Sequence, residues 1–141
     1  MNVSKKYLFM GALVLGGLCA LIAYKMYHKP HKNIVKAEAV AIMTASEMLA
    51  SYKNDEVAAN GKYLDKILAI SGTIASIKVQ DNQISLQLDT GDPMSEIICN
   101  LDPFTKHKRT DFKVGEQVKL KGVCSGYLSD VVMDRCVEQP R

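Results

Sequence analysis

From Ile67 to Leu101 the chain contains no Phe, Tyr or Trp, so its strand-rich stretch offers no flat rings on which unpaired bases could stack. Positive charge is also scarce where it would matter. From Thr44 onward fall 12 of the 18 basic residues and 14 of the 15 acidic ones, a net of −2. A nucleic-acid binder concentrates positive charge to displace counterions from phosphates, and in bulk this chain does not. Catalytic equipment is missing as well. His107 is the sole histidine after Thr44, no serine or cysteine stands in a nucleophile motif, and no glycine-rich phosphate loop occurs. Asp89, Asp92 and Glu96 flank a turn, where acidic residues collect without catalysis. His28 and His31 lack a third ligand. The reading is therefore not an enzyme, with no cofactor and no metal.

Cysteine is sparse but informative. Of the four, Cys19 lies in an apolar segment, Cys99 in a strand-like run, and Cys124 and Cys136 flank a terminal hairpin. Val118, Leu120, Gly122 and Cys124 alternate with Gln117, Lys119, Lys121 and Val123, a second strand follows from Val131 to Glu138, and the short link makes the two antiparallel neighbours. Zinc would require two clusters of ligands, and the eleven residues between Cys124 and Cys136 contain neither Cys nor His. A disulfide between Cys124 and Cys136 is the preferred expectation; two buried free thiols are the alternative.

The feature in abundance is an uncharged run of 18 residues, Tyr7 to Tyr24. As a helix it spans about 27 Å, close to the thickness of a bilayer core. Tyr7, Tyr24 and Tyr27 mark its ends, where amphipathic rings favour headgroups. A helix apolar on every side would otherwise need a large protein around it. Residues 1–27 are read as a transmembrane anchor. A cleaved secretory signal and a lipoprotein modified at Cys19 are the competing readings, each with a poor processing site: Leu21 and Ala23 match small-x-small only in part, and Leu18 precedes Cys19. Ala12, Gly16 and Ala20 form a small-residue face, which ordinary membrane-helix composition also explains. Four lysines follow the run against two before it, which taken literally puts the domain inside; the expected disulfide favours an oxidising compartment. The domain is placed in the periplasm or outside the cell, on a single-pass membrane protein.

Residues 28–43 read as a basic juxtamembrane linker, broken at Pro30 and helical from Ile34. Residues 44–141 form the soluble domain. Thr44 and Glu47 make a capping box, and Ala45, Met48, Leu49 and Tyr52 mark one helical face. Asn54, Asp55 and Glu56 open a second helix, which Asn60 and Gly61 end. Ile67 to Val79 is a long first strand with a bend at Gly72. Asp81 and Asn82 turn it into a second, where Ile84, Leu86 and Leu88 alternate with Gln83, Ser85 and Gln87. Ile97, Cys99 and Leu101 belong to a third. After a polar connection to Phe112, the terminal hairpin supplies the fourth and fifth strands. The fold class is mainly β with short N-terminal helices, a closed five-strand barrel preceded by a transmembrane helix.

Asn54, Glu56, Ala59, Lys62, Tyr63 and Lys66 ahead of Ile70, Gly72 and Ile74, followed by Gly115, Gly122, Cys124, Gly126 and Cys136, resemble the tRNA_anti-like family over about Thr44 to Val137. The resemblance implies an OB-fold barrel, carried by secreted or membrane-attached bacterial proteins of no established activity. Fold does not carry function, so the site is argued separately. Gln83, Ser85, Gln87 and Asn100 provide an amide-rich candidate binding face for a sugar, peptide or protein edge; a solvated strand face is the plainer reading. Lys106, Lys108 and Arg109, with His107, form the domain's basic cluster and a candidate contact for phosphate or anionic lipid; a solvated loop is its plainer reading. Asp130 closes a turn and Tyr127 packs over the barrel rim. The expected partners are the membrane, through the anchor, and a protein or an unidentified small ligand. Nucleic acid is the disfavoured alternative, and a structural subunit of an envelope complex a third.

Overall fold

The computed structural model describes the backbone of residues 5–27 and 34–140, and the side chains of residues 10–11, 13–24 and 34–140. The chain divides into two compact units, Met1–Lys32 and Asn33–Arg141. The first contains α1, Lys5–Tyr27. Met10, Leu13, Val14, Leu15, Leu18, Leu21 and Ile22 are each more than half exposed. Among the described residues no helix is long and apolar enough to cross a membrane. The uncharged run opens at Tyr7, ahead of the first described side chain, so the transmembrane expectation lies partly outside the described residues.

The second unit begins earlier than Thr44. Ile34 is buried, the Nζ of Lys121 donates to the carbonyls of Val35 and Ala37 at 3.0 and 2.7 Å, and Val40 donates its N–H to Ile67. A short strand follows, β1 (Ala41–Thr44), parallel to the chain at Leu68–Ser71. The expected linker therefore splits. Residues 28–33 lie outside the described residues, whereas 34–43 form a turn, a strap and a strand of the domain rather than a helix.

Helix α2 (Ala45–Asn54) starts from the predicted capping box: the Thr44 hydroxyl accepts from the Glu47 N–H, and the Glu47 carboxylate accepts from the Thr44 N–H. Its buried face is Ala45, Met48, Leu49 and Tyr52, as the spacing predicts. Helix α3 (Glu56–Tyr63) is capped by Asp55 and runs through Asn60 and Gly61 instead of ending there. A Cβ at Gly61 would meet open space, so nothing specific demands glycine there.

Strand β2 (Ile67–Gln80) is long because it serves two neighbours. Its first half, Ile67–Thr73, pairs antiparallel with β5 (Gln117–Tyr127), and its second half pairs with β3 (Gln83–Leu88). Asp81 and Asn82 both take positive φ, 48° and 67°, the geometry of a tight two-residue hairpin. Strand β3 pairs antiparallel with β4 (Ile97–Leu101), β4 parallel with β6 (Val131–Glu138), and β6 antiparallel with β5. The β5–β2 pairing closes the ring into a five-strand barrel, with β1 added on β2. Leu68, Ile70, Ile74, Leu86, Leu88, Ile97, Leu120 and Met133, all at 1% exposure or less, fill it. The bulge lies between Ile74 and Ser76, not at Gly72. Gly72 has a different use: a Cβ there would stand 3.2 Å from Ala45 and 3.3 Å from Leu88, so it lets α2 approach the sheet.

The cysteines depart from expectation. All four are free thiols. Cys124 sits opposite Met133 in the β5–β6 register, while Cys136 sits opposite Leu101 of β4, so the two do not face each other and the expected Cys124–Cys136 disulfide is not formed. The hairpin register itself sets the offset: continued evenly from Leu120↔Glu138 and Lys121↔Val137, it puts Cys136 level with Gly122, not Cys124.

Candidate functional site

Strands β3 and β4 alternate side chains between the barrel interior and its outer face. On the outer face Ser85 is paired with Asn100, and a polar ladder runs across four strands. The Ser85 hydroxyl donates to Asn100 Oδ1 at 2.7 Å, Asn100 Nδ2 donates to Asp134 Oδ1 at 2.7 Å, and the Ser125 hydroxyl donates to Asp134 Oδ2 at 2.5 Å. The ladder fixes the Asn100 amide orientation, because its oxygen must accept and its nitrogen donate.

Beside the ladder lies an open groove of about 430 Å³, lined by Lys78, Gln80, Asp81, Gln83, Ser85, Asn100 and Asp134. Three of the four residues proposed as a binding face thus converge on one depression. Gln87 does not join them. It is buried, and its side chain accepts a hydrogen bond from Ser76, against which the β2–β3 register places it. The groove has two carboxylates and one ammonium, a sign that suits amides, hydroxyls or cations better than phosphate.

The basic cluster disperses. Asp102 organises the loop after β4: its carboxylate accepts from the Phe104 N–H at 3.2 Å and the Thr105 hydroxyl at 2.7 Å, and its carbonyl accepts from His107 Nε2 at 2.7 Å. Lys106 and Lys108 stay exposed. Arg109 does not. Its guanidinium is shared between Glu138 and Glu116 at 2.6 to 3.2 Å and lies 4.6 Å above the Phe112 ring. Those bonds, Glu138 first and Glu116 second, hold its proton still more firmly than usual. Arg109 is a tie between the connecting loop and the barrel, and the candidate anion contact reduces to Lys106 and Lys108.

Sequence reasoning missed Phe104. This ring is 79% exposed three residues beyond β4, beside a depression of about 370 Å³ lined by Val79, Gln83, Pro103, Thr105 and His107 among others. The absence of aromatics holds for β2, β3 and β4, but a ring is presented from the next loop. A third depression of about 670 Å³ runs past Thr44, Ser46, Ser71, Thr73, Asp89 and Lys119. Several of its polar groups are engaged within the fold: Thr44 with Glu47, Ser46 with the Thr90 carbonyl, and Asp89 with the Gly91 N–H. Among the described residues no group of three or more His, Cys, Asp or Glu could hold a metal ion.

A family model described as tRNA_anti-like matches residues 1–138. The chain belongs to the tRNA_anti-like family. Its barrel is also similar to the crystal structure of a candidate nucleic acid-binding lipoprotein from Klebsiella pneumoniae subsp. pneumoniae MGH 78578, at 15% identity and a TM-score of 0.53, covering 69% of this chain and 91% of that one. At such identity the likeness speaks for the fold alone. No curated protein matches the chain. The closed order β2-β3-β4-β6-β5 with its parallel β4–β6 pair is thus the tRNA_anti-like version of the OB barrel, and the 430 Å³ groove crosses its outer face over β2, β3, β4 and β6.

Proposed function

We propose that this tRNA_anti-like protein is a membrane-anchored binding module without catalytic activity, its barrel on the extracytoplasmic side and its polar groove engaging a protein edge or a small polar ligand. The observation that carries the reading is the convergence of Gln83, Ser85 and Asn100 on one groove over the second and third barrel strands. Anchoring rests on the uncharged run Tyr7–Tyr24 and on the exposed apolar side chains of its described part. The lipoprotein character in the name of the similar structure accords with membrane attachment.

Photocrosslinking from position 83 in native membranes tests the site. A discrete adduct from position 83 that is absent from position 57, on the far-exposed Val57, supports the groove; adducts of equal yield from both positions count against it. Protease treatment of intact spheroplasts tests the orientation, and a protected barrel would reverse it.

A second reading has its own observation. Phe104, Lys106 and Lys108 put one exposed ring and two exposed ammonium groups on a single loop, the minimal elements of a single-strand contact. Titration of the full chain with labelled single-stranded oligonucleotide across a salt series separates the two. Tight binding that weakens steeply with salt and is lost in Phe104→Ala would favour nucleic acid over the proposed polar ligand.

A further inference from the structure

Another depression opens on the outer face of the barrel and shares no residue with the groove. One rung of the sheet underlies it: Ile42 of β1 stands opposite Ala69 of β2, and Ala69 opposite Lys121 of β5. Lys119, two residues earlier on β5, points to the same side. The strap ahead of β1 is drawn against this rung, because Lys121 Nζ donates to the Val35 and Ala37 carbonyls at 3.0 and 2.7 Å. Between strap and sheet lie about 440 Å³, with Lys36, Glu38, Lys119 and Lys121 as the charged lining. Three ammonium groups meet one carboxylate there, and among the described residues no ion pair joins Glu38 to any of them.

Lys121 decides what the depression is suited to hold. The residue is only 6% exposed, and an ammonium carries three N–H donors. Two go to the strap carbonyls, which leaves one unspent on a residue that lines the opening. Taking a cation out of water is costly, and two carbonyl dipoles without a carboxylate offset that cost only in part. An anion in the opening would offset the rest. We infer that this depression binds a phosphate group, that of an anionic phospholipid headgroup, between the ammonium groups of Lys36, Lys119 and Lys121. Phosphate suits them because lysine meets it as a point charge and its several oxygens accept from donors on different elements. The source follows from the order of the chain. Lys36 comes 12 positions after Tyr24, where the uncharged run ends, and Lys25, Lys29 and Lys32 lie between them. Basic residues beside a membrane anchor attract anionic headgroups. The lipid source thus rests on the anchored reading above, whereas the phosphate site rests on the barrel unit alone.

The test follows the backbone amide NMR signals of the full chain in micelles of a neutral detergent. The probes are dihexanoyl phosphatidylglycerol, dihexanoyl phosphatidylcholine and inorganic phosphate, each titrated separately. The anionic lipid is expected to give saturable shifts centred on Lys36, Lys119 and Lys121, and the zwitterionic lipid to give far smaller ones. Lys36→Gln and Lys119→Gln leave the Lys121 clasp in place, and each is expected to weaken binding about fivefold. Unchanged signals from the barrel interior show that these variants are folded. An equal response to the two lipids, shifts centred instead on Lys106 and Lys108, or full affinity in the Lys36→Gln, Lys119→Gln double variant would overturn the site. Inorganic phosphate that saturates the same amides as tightly as the anionic lipid would uphold the phosphate site and reject the lipid as its source. The ligand of the groove is read separately, by the crosslinks from position 83.

Discussion

The Tyr52 hydroxyl of α2 meets the Cys124 sulfur of β5 at 3.2 Å inside the barrel unit. Tyr52 is 1% exposed and stacks on Tyr127 with ring centroids 5.3 Å apart, while Tyr63 stands 6.2 Å away. One helix is thereby fastened to the sheet through a ring and its polar tip. Burial and then the Cys124 contact push the tyrosine hydroxyl well above its ordinary range.

Tyr52→Phe keeps the stack and removes the polar contact, so the expected loss is about 1 kcal/mol. Tyr52→Ala removes the ring too, for roughly 3–5 kcal/mol. Urea denaturation curves check both. Equal losses in the two variants would show that the hydroxyl, not the ring, holds the helix.

Gly122→Ala drives a methyl group into the Cys136 sulfur and to 2.9 Å from the Asp134 carbonyl. Backbone cannot retreat as a side chain can, and overpacking of this kind costs about 1–3 kcal/mol. The denaturation midpoint falls. Gly61→Ala, where nothing lies within 4 Å, is the matched control and leaves the midpoint unchanged or raised.

Thr44→Ala breaks the capping box at a cost of about 1 kcal/mol at neutral pH. The Thr44 N–H, and after it the Thr44 hydroxyl, hold the Glu47 carboxyl below its ordinary value. A carboxyl lowered by folding contributes stability above its unfolded pKa and loses it as pH falls through the folded value. Glu47→Gln keeps an acceptor but has no charge to lose, so its stability declines less than wild type's below the ordinary glutamate range. Thermal melts from neutral to acid pH measure the difference.

Asn100→Ala cuts the ladder between Ser85 and Asp134 at its middle. These bonds are only part-buried, so the expected stability loss is about 1 kcal/mol or less. Crosslinking from position 83 should fall much further than stability does. A variant that keeps full crosslinking would remove Asn100 from the site.

Much of this arrangement was legible in the residues. The capping box, the α2 face and the two-residue turn at Asp81–Asn82 are local, and each is written in a few consecutive side chains. Inward positions of β3, β4 and β5 followed from alternation. The partners of the cysteines did not. Cys136 meets β4 because of a parallel pairing and an irregular step at Arg135, and neither leaves a mark in nearby sequence. Strand β1 escaped for the same reason: four residues pair in parallel with a strand some 27 positions on, as Ala41 does with Leu68. Three residues of the candidate face line one groove, and the fourth departs from it because alternation places Gln87 outward but cannot show that Ser76 covers it. Arg109 looked available because its two glutamates, one of them 29 residues away, come near only when the barrel closes.

Lys121 holds the strap ahead of β1 by two carbonyls, and β1 itself lies parallel to β2. A tug transmitted from the N-terminal side must first strip that ammonium clasp and then slide one strand lengthwise along another, loading several hydrogen bonds at once instead of unzipping them singly. Pulled from that side, the barrel would resist in shear. Shortening the chain to residue 33 should spare it, while cutting to residue 44 would unclip its harness.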